Sequence, residues 1–307
     1  LLLSSITQIV FLKFKDHGVV NSTVELAKSK KLHVSHSFIN GVLRNIARDK
    51  AQLSKINFSY NDLPYWFKKN TKKWSSIQKN NFIKTIRTEP HIHIVFKDPK
   101  FLEKSKWNNC ILTSKNSLSL SNLENIENLP DYKKGIWWVQ DFSAMMPLHL
   151  LGNLKNKKVL DMCAAPGGKA FQALSKNAKL DVYEVNALKA NILNDNFNRL
   201  NYLQKINIGN SLNILNDKTY DVVLIDAPCS AIGTIRKNPE IFFRKKNLDL
   251  SKVCRIQSNL LDKARNMVKK NGIIIYMVCS FFEQECEDQI YNFLKNNKNY
   301  KIKKYIP

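Results

Sequence analysis

Two short apolar runs, each ending in a cysteine, constrain the fold of this chain more than any other feature of its sequence. Residues 222–229 and 273–279 are continuous stretches rich in Val and Ile, and a segment of helical periodicity separates them. This pattern is typical of neighbouring strands in a parallel sheet that is covered on both faces. Such sheets bind ligands at the carboxyl ends of their strands. Cys229 and Cys279 are therefore predicted to lie at the mouth of one crevice, where a thiol can act as a nucleophile.

A second motif indicates what occupies that crevice. Residues 159–169, VLDMCAAPGGK, predict a strand that breaks into a turn of small residues and then enters a helix. Such a turn lets the backbone approach a nucleotide-like ligand closely. The stretch lacks both the G-x-G-x-x-G spacing and the G-x-x-x-x-G-K-[ST] phosphate loop, so neither a nicotinamide dinucleotide nor ATP is favoured. The next predicted strand, residues 180–184, ends in Glu184, which is placed to accept hydrogen bonds from ribose hydroxyls.

Helical periodicity predicts amphipathic helices over residues 35–53 and 251–270 and a third helix over residues 142–150. The second of these closes with two lysines and Gly272 as its C-cap, which makes Ile273 the start of the next strand. Residues 108–128 are rich in Asn and Ser and are predicted to form a loop with a short helix.

Composition limits the class of protein. The formal net charge is +24, which fits a polyanionic partner such as ribosomal RNA. Only eight of the 49 basic residues are arginine, so the lysine bias of an AT-rich genome explains the charge equally well. There is no apolar run long enough to span a membrane. The six cysteines form no C-x-x-C pair, which argues against a zinc site or a disulfide scaffold and for a reducing, cytoplasmic setting.

Three motifs in this order resemble the S-adenosylmethionine-dependent RNA cytosine-5 methyltransferases, and among them the bacterial Sun/RsmB type that modifies 16S ribosomal RNA. The motifs are residues 161–169, residues 226–230 with 233–240, and residues 276–280 followed by Glu283 and Glu285. A helical stretch from Phe38 also resembles the last helices of a NusB-like domain. Because the chain begins at Leu1, inside that domain, we expect an N-terminal portion of it to be missing.

The resemblance implies an α/β fold, a doubly wound Rossmann-like methyltransferase sheet preceded by a NusB-like helical remnant and a small α+β subdomain. We place the three parts at residues 1–57, 58–135 and 136–307. In the family the small subdomain helps to hold RNA. For any single aromatic or lysine residue that opens this subdomain, the pattern favours an ordinary amphipathic helix with a solvated lysine face. The implied protein is a monomer that binds S-adenosylmethionine and 16S ribosomal RNA and needs no metal.

The resemblance also implies roles for individual residues. It assigns attack on cytosine C6 to Cys279 and breakdown of the covalent adduct to Cys229. Asp226 would reach the cytosine edge, and Lys169 would orient Asp226 or the methionine carboxylate of the cofactor. We expect Arg236 and Lys237 to contact the substrate RNA. The predicted cofactor-binding residues are Cys163, Ala164, Ala165, Pro166, Gly167, Gly168, Lys169, Glu184, Asn210 and Asp226.

The residues themselves leave an alternative for Cys229 and support a reactive thiol at Cys279. The alternative for Cys229 is a small buried residue at a tight turn, since free cysteines are among the most buried residue types. For Cys279, the spacing from Ser280 to Glu283 predicts a capping box. Ser280 would then N-cap the final helix and bring the sulfur near its positive end, where the pKa of a thiol falls.

Three positions depart from the family pattern, with Val278 and Ala170 in place of Thr and Asn210 in place of Asp. An Asn still accepts a hydrogen bond but carries no charge. These departures affect the expected efficiency more than the expected reaction. The competing hypotheses are a methyltransferase acting on tRNA, a DNA cytosine methyltransferase in which Cys229 attacks, and a protein that binds ribosomal RNA without turnover. The second cysteine, Cys279, and the NusB-like stretch argue against the DNA enzyme.

Overall fold

The computed structural model describes residues 1–30, 35–104, 107, 109–121, 125–215, 219–244 and 249–304. The chain forms two compact units, Leu1–Asp62 and Leu63–Pro307. The three-part division into residues 1–57, 58–135 and 136–307 stays a prediction. Within the described ranges, none of the helices has the length and apolar character needed to cross a membrane.

The first unit consists of three helices, α1 (Leu2–Val10), α2 (Asp16–Ser29) and α3 (His36–Leu53). The helix predicted over residues 35–53 is confirmed, and the Ser35 side chain accepts a hydrogen bond from the amide of Phe38 at its start. Apolar side chains from all three helices share one core, and they include Ile9, Val19, Ala27, Ile39 and Leu43.

The second unit opens with helices α4 (Tyr65–Asn70) and α5 (Ser76–Ile86) and then a four-stranded antiparallel sheet. Its strands are β1 (Ile92–Phe96), β2 (Cys110–Ser114), β3 (Ser117–Leu120) and β4 (Trp137–Val139), and helix α6 (Pro99–Lys104) lies between β1 and β2 along the chain. Across the sheet the strands have the order β2-β3-β1-β4.

The prediction of a loop and a short helix over residues 108–128 is wrong for most of its length, because β2 and β3 form a hairpin there. Asn108 and residues 122–124 lie outside the described residues. The hairpin forms because Leu118 and Leu120 are buried against the core of β1. The buried Ser119 hydroxyl is hydrogen-bonded to His91, and Ser117 to Thr113 and Ser114. Polar composition therefore concealed a strand whose hydroxyls are satisfied internally.

The centre of the second unit is a five-stranded parallel sheet of β5 (Lys158–Asp161), β6 (Lys179–Glu184), β7 (Ile206–Ile208), β8 (Tyr220–Asp226) and β9 (Val268–Met277). Across the sheet the strands have the order β7-β6-β5-β8-β9. The helices are α7 (Phe142–Leu151), α8 (Gly168–Ser175), α9 (Ala187–Arg199), α10 (Ile241–Arg244), α11 (Leu250–Met267) and α12 (Glu287–Asn296). The order reverses between β5 and β8, which is where open α/β sheets bind ligands.

Alternate residues of β8 face two different cores. Val222 and Leu224 belong to the apolar cluster that contains residues of α7, α8 and α9, whereas Val223 and Ile225 belong to the cluster that contains residues of α11. Both faces of the sheet are therefore covered, which explains the continuous apolar run and confirms the predicted doubly wound α/β fold.

The boundary between α11 and β9 differs from the prediction. The helix ends at Met267 and the strand begins at Val268, so Gly272 lies within the strand and not at a helix C-cap. Val268 pairs with Tyr220, and the Lys269 ammonium pairs with the carboxylate of Asp221, which draws this segment onto β8. A Cβ at Gly272 would come within 3.0 Å of the Asp221 carbonyl oxygen, so the close approach to β8 requires a glycine.

Candidate active site

Acidic side chains stand at the carboxyl ends of three adjacent strands. Asp161 ends β5, Glu184 ends β6 and Asp226 ends β8. The order β6-β5-β8 brings these three ends to one edge, around the point where the strand order reverses. The structure therefore brings together the first predicted motif, the acidic end of the second strand and the run that leads to Cys229.

The turn after β5 is packed so tightly that it needs glycine. Gly167 has φ +116° and is the N-cap of α8. A Cβ there would lie 2.1 Å from the Phe171 ring and 2.7 Å from Leu193. At Gly168 a Cβ would lie 3.3 Å from Gln140. The small residues from Cys163 to Gly168 thus let α8 and its turn sit close against their neighbours, as the sequence predicts.

Glu184 fixes the turn from the neighbouring strand. Its carboxylate is buried, with one oxygen accepting the amide of Ala165 at 3.2 Å and the other accepting the amide of Asn186 at 3.0 Å. Each carboxylate oxygen has further acceptor capacity. The position is therefore compatible with the predicted hydrogen bonds to ribose hydroxyls.

Asp161 is a functional candidate that sequence reasoning did not include in its site. The side chain is 1% exposed, and one carboxylate oxygen accepts the amide of Cys163 at 3.3 Å. The other oxygen is buried and has no partner among the described residues. Burial, helped by the charge of Asp226, raises the pKa of Asp161 to about 7. The sequence signal that could have identified Asp161 as a site residue is its position at the end of a strand, the same signal that identifies Glu184.

Cys163 is not a nucleophile candidate. Burial and then the charges of Asp161 and Glu184 raise the pKa of its thiol to about 12. Its predicted contribution to the cofactor site therefore rests on the turn that it occupies.

Lys169 and Asp226 form an ion pair next to this turn. The Lys169 ammonium lies 2.5 Å from a carboxylate oxygen of Asp226, and the two side chains are 12% and 35% exposed. Of the two partners predicted for Lys169, the structure thus supplies Asp226. Asn210 lies after β7, where its side chain accepts the amide of Leu212 at 3.0 Å and caps a short 3₁₀ turn.

The two cysteines that end the apolar runs face each other. The sulfur atoms of Cys229 and Cys279 are 3.1 Å apart, with Cys279 exposed and Cys229 partly buried. The hydrogen bond from the Cys229 thiol lowers the pKa of Cys279 to about 7 against the opposing effect of burial. The same bond, together with burial, raises the pKa of Cys229. Cys279 is therefore the thiol that ionises first, and Cys229 is its proton-bearing partner.

The predicted helix cap at Ser280 is wrong. Ser280 accepts the amide of Phe282 at 3.2 Å and precedes a 3₁₀ turn, Glu283–Glu285, while α12 begins only at Glu287. Cys286 is the N-cap of α12, and it makes no side-chain cap hydrogen bond. The low pKa of Cys279 is thus attributable to the thiol of Cys229 and not to a helix terminus.

Arg236 and Lys237, the predicted RNA contacts, have partners within the chain. The Arg236 guanidinium donates to the carbonyl oxygens of Thr88 and Glu89 at 3.2 and 2.9 Å. The Lys237 ammonium lies 2.9 Å from Asp141. Burial alone would raise the pKa of Asp141, but hydrogen bonds from Lys237 and Ser143 lower it to about 2. A contact of either basic residue with RNA stays a prediction.

Apart from Cys229 and Cys279, the cysteines are also free thiols, and they are Cys110, Cys163, Cys254 and Cys286. Across the described part of the chain, no group of three or more His, Cys, Asp and Glu side chains is placed to hold a metal ion.

Comparison with known proteins places the chain among methyltransferases. It is 30% identical over 325 residues to ribosomal RNA small subunit methyltransferase B of Shewanella oneidensis, covering 98% of this chain and 74% of that protein. The solved structure of PH0851 has a TM-score of 0.77 at 18% identity and covers 95% of this chain and 71% of its own. That of NSun6 from Pyrococcus horikoshii with SFG has a TM-score of 0.65 at 14% identity, covering 75% and 86%.

The sheet order, the small-residue turn and the acidic strand ends define the Rossmann-like methyltransferase fold. A family model described as 16S rRNA methyltransferase RsmB/F matches residues 148–306, and a NusB family model matches residues 1–48. The chain belongs to the RsmB/F family of 16S rRNA methyltransferases. The predicted family, fold and cofactor are confirmed.

The crevice fits S-adenosylmethionine chemically. The unpartnered, buried oxygen of Asp161 is an acceptor for a cationic or N–H donor, and Glu184 offers acceptors one strand away. The turn at Gly167 admits close approach of a ligand to the backbone. These residues would hold the cofactor at the strand ends, beside the Lys169–Asp226 pair.

Proposed function

We propose that this protein transfers a methyl group to C5 of a cytosine in 16S ribosomal RNA, through a covalent bond between Cys279 and C6 of the base. The observation that carries the proposal is the 3.1 Å separation of the Cys229 and Cys279 sulfurs at the edge of the cofactor crevice. Asp226 pairs with Met277, two residues before Cys279, so the Lys169–Asp226 ion pair lies at the same end of the neighbouring strands β8 and β9 as the Cys279 thiol. The name of the relative from Shewanella oneidensis supports the choice of RNA.

The chemistry explains why a thiolate is needed. Cytosine C5 is a poor nucleophile, but addition of the Cys279 thiolate to C6 makes C5 enamine-like. S-adenosylmethionine, when bound, supplies a methyl group on a positively charged sulfur. The cytosine C5 would form a new bond to the methyl carbon while the bond between that carbon and the cofactor sulfur breaks. Loss of the C5 proton then expels the sulfur of Cys279 from C6, which restores the double bond of the base and the thiolate.

Asp226 and Lys169 are suited to handle charge on the base. Attack at C6 places negative charge on the ring, and an acid near N3 or N4 stabilises it. A carboxyl at Asp226 would donate or accept a proton at that edge, while the Lys169 ammonium holds the Asp226 side chain in place. Cys229 would assist the breakdown of the adduct by accepting the C5 proton as a thiolate, because bonding of Cys279 to C6 removes the hydrogen-bond partner that raises the pKa of Cys229.

The test separates the two thiols. Cys279→Ser should give neither product nor adduct, because a serine hydroxyl is far less ionised and less nucleophilic than a thiol. Cys229→Ala should attack and methylate but release RNA slowly, so that a methylated protein–RNA adduct survives denaturing electrophoresis. The double variant, Cys279→Ser with Cys229→Ala, should form none. Labelled cofactor with protein-free 16S rRNA, tRNA and DNA as parallel substrates reports both product and adduct.

The other possible outcomes would contradict the mechanism, the substrate or the catalytic activity in the proposal. Adduct formation by Cys279→Ser would exchange the roles of the thiols and favour the mechanism of the DNA enzymes. Methylation of tRNA in preference to 16S rRNA would overturn the proposed substrate. Binding of 16S rRNA with no methyl transfer by the unmodified protein would identify a non-catalytic RNA-binding protein.

A further inference from the structure

A buried carboxylate lies behind the two thiols. Glu285 is 0% exposed and follows Cys279 by six residues, in the 3₁₀ turn that precedes α12. One of its oxygens accepts the amide of Ser230, next to Cys229, at 2.7 Å. The other accepts the hydroxyl of Ser280, next to Cys279, at 2.5 Å. A single side chain thus binds the residue that follows each cysteine.

Helix α11 contributes to the same network through Gln257. Its side-chain amide nitrogen donates to the Pro228 carbonyl at 3.0 Å and to Glu285 at 3.1 Å. Both partners are acceptors, so the amide orientation is fixed by the network. The amide oxygen of Gln257 is buried without a partner among the described residues, which is the cost of presenting the nitrogen to both. Pro228 and Glu285 are thereby joined to one buried point of the helix.

Direct bonds between the two cysteine segments complete the arrangement. The amide of Gly233 donates to the carbonyl of Cys279 at 3.0 Å, and the Ser230 hydroxyl donates to Ser280 at 3.1 Å. A Cβ at Gly233 would lie 3.1 Å from the Cys279 carbonyl oxygen, so the segments are in close contact. The thiols therefore meet where the backbone on both sides is held, and Glu285 is the charged group in that support.

Stability alone does not explain a carboxylate at this point. Its three donors, the Ser230 amide, the Gln257 amide and the Ser280 hydroxyl, are all neutral. Burial of a charge is costly, and an apolar side chain of similar volume is often as stable or more so. An acceptor with two oxygens, however, can hold the two turns at a fixed spacing. A fixed spacing of the two turns determines the positions of the two thiols and does not improve the packing of the core.

We propose that Glu285 is the positioning residue that sets the spacing of Cys229 and Cys279, and through it the reactivity of Cys279. Glu285 touches neither thiol and acts through Ser230 and Ser280. The proposal rests on the proposed function in taking Cys279 as the attacking thiol. It predicts that disturbing Glu285 slows reactions of Cys279 while the cofactor crevice, formed by β5 and β6, is retained.

The test is Glu285→Gln, with Glu287→Gln as the matched control because Glu287 is an exposed carboxylate two residues further along. Glutamine retains the oxygen that binds Ser230 but presents an NH₂ group to Ser280. The Ser280 oxygen already accepts from Ser230 and Phe282 and has no lone pair to spare. The segment of Cys279 should therefore shift relative to Cys229.

The readout is alkylation of the full chain by iodoacetamide, with Cys279 followed by peptide mass spectrometry. At pH 7 we expect iodoacetamide to alkylate Cys279 roughly tenfold more slowly in Glu285→Gln than in the unmodified protein, because the pKa of the thiol returns to the ordinary cysteine range. Glu287→Gln should match the unmodified protein. In methylation assays the turnover number of Glu285→Gln should fall while KM for the cofactor stays the same.

Alkylation requires neither RNA nor turnover, so the two proposals fail separately. Normal alkylation without methylation in the unmodified protein would count against the proposed function alone. An unchanged alkylation rate in Glu285→Gln with cofactor binding intact would overturn the positioning role. If Glu285→Gln does not fold, Ser280→Ala can be used in its place, because it removes the hydrogen bond from Ser280 to Glu285. Iodoacetamide should then alkylate Cys279 severalfold more slowly. No change in Ser280→Ala would equally overturn the role.

Discussion

When Cys279 is ionised, the Cys229 thiol is the hydrogen-bond donor between the two sulfurs, and this bond lowers the pKa of Cys279. A thiolate at Cys279 is populated above its lowered pKa of about 7 and lost as pH falls below it. Alkylation of Cys279 should therefore be half-maximal near pH 7. Cys229→Ala removes the donor, so the midpoint should move up toward the ordinary thiol value of about 8.5.

The matched variant Cys229→Ser keeps a hydroxyl donor, and its midpoint should stay closer to that of the unmodified protein. Adduct formation by Cys229→Ala, which needs the Cys279 thiolate, should also become faster between pH 7 and pH 8.5. Identical midpoints for the Ala and Ser variants would show that the Cys229 thiol does not set the ionisation of Cys279.

Individual residues also show the limit of sequence reasoning at this site. The motifs placed Cys229, Cys279, Asp226 and Lys169 in one crevice, because the ends of parallel strands meet at one edge. The role of Glu285 depends on a turn between β9 and α12 whose path local spacing does not determine. The spacing from Ser280 to Glu283 fits a capping box, yet Ser280 bonds to Glu285 instead. Buried polar partners, not propensity, decide the conformation there.

Among the elements, the turn into α8 depends most clearly on a single residue. Gly167→Ala would place a methyl group against Phe171 and Leu193 at a positive φ of +116°. We expect it to destabilise the second unit by about 2–4 kcal/mol, from strain and overpacking together. It should also weaken cofactor binding. Urea unfolding and calorimetric titration with S-adenosylmethionine measure the two effects.

Gly152→Ala is the control for the backbone alone. Gly152 also has a positive φ, +80°, but a Cβ there meets nothing within 4 Å. It should cost about 1–2 kcal/mol from backbone strain alone, less than Gly167→Ala, and leave cofactor binding unchanged. Equal losses of stability in the two variants would show that crowding against Phe171 and Leu193 is unimportant.

The elements that the sequence predicts well are those in which the pattern of apolar residues matches the pattern of burial. The strands that became β5, β6 and β8 stand out because both of their faces are covered, and α3 because one face is apolar. The end of α11 was misplaced by three residues, since Val268 joins β8 through a pairing that no local pattern encodes. The hairpin β2–β3 was missed because its serines are buried in hydrogen bonds to one another and to His91.

At the scale of the whole molecule, the charge of +24 admits two explanations, and salt separates them. If lysine–phosphate contacts hold the RNA, each contact releases counterions on binding. About six contacts would give a slope of roughly −4 to −5 in a plot of log affinity against log salt. Fluorescence titration of a 16S rRNA fragment between about 50 and 200 mM salt measures this slope.

The comparison is the affinity for S-adenosylmethionine, which should change far less over the same salt range because a small ligand that is not a polyanion carries no atmosphere of condensed counterions to release. A steep slope for RNA beside a shallow one for the cofactor assigns the positive charge to RNA binding. A flat response for both would assign the lysines to compositional bias. The affinity for RNA would then have to come from hydrogen bonds and stacking, which depend weakly on salt.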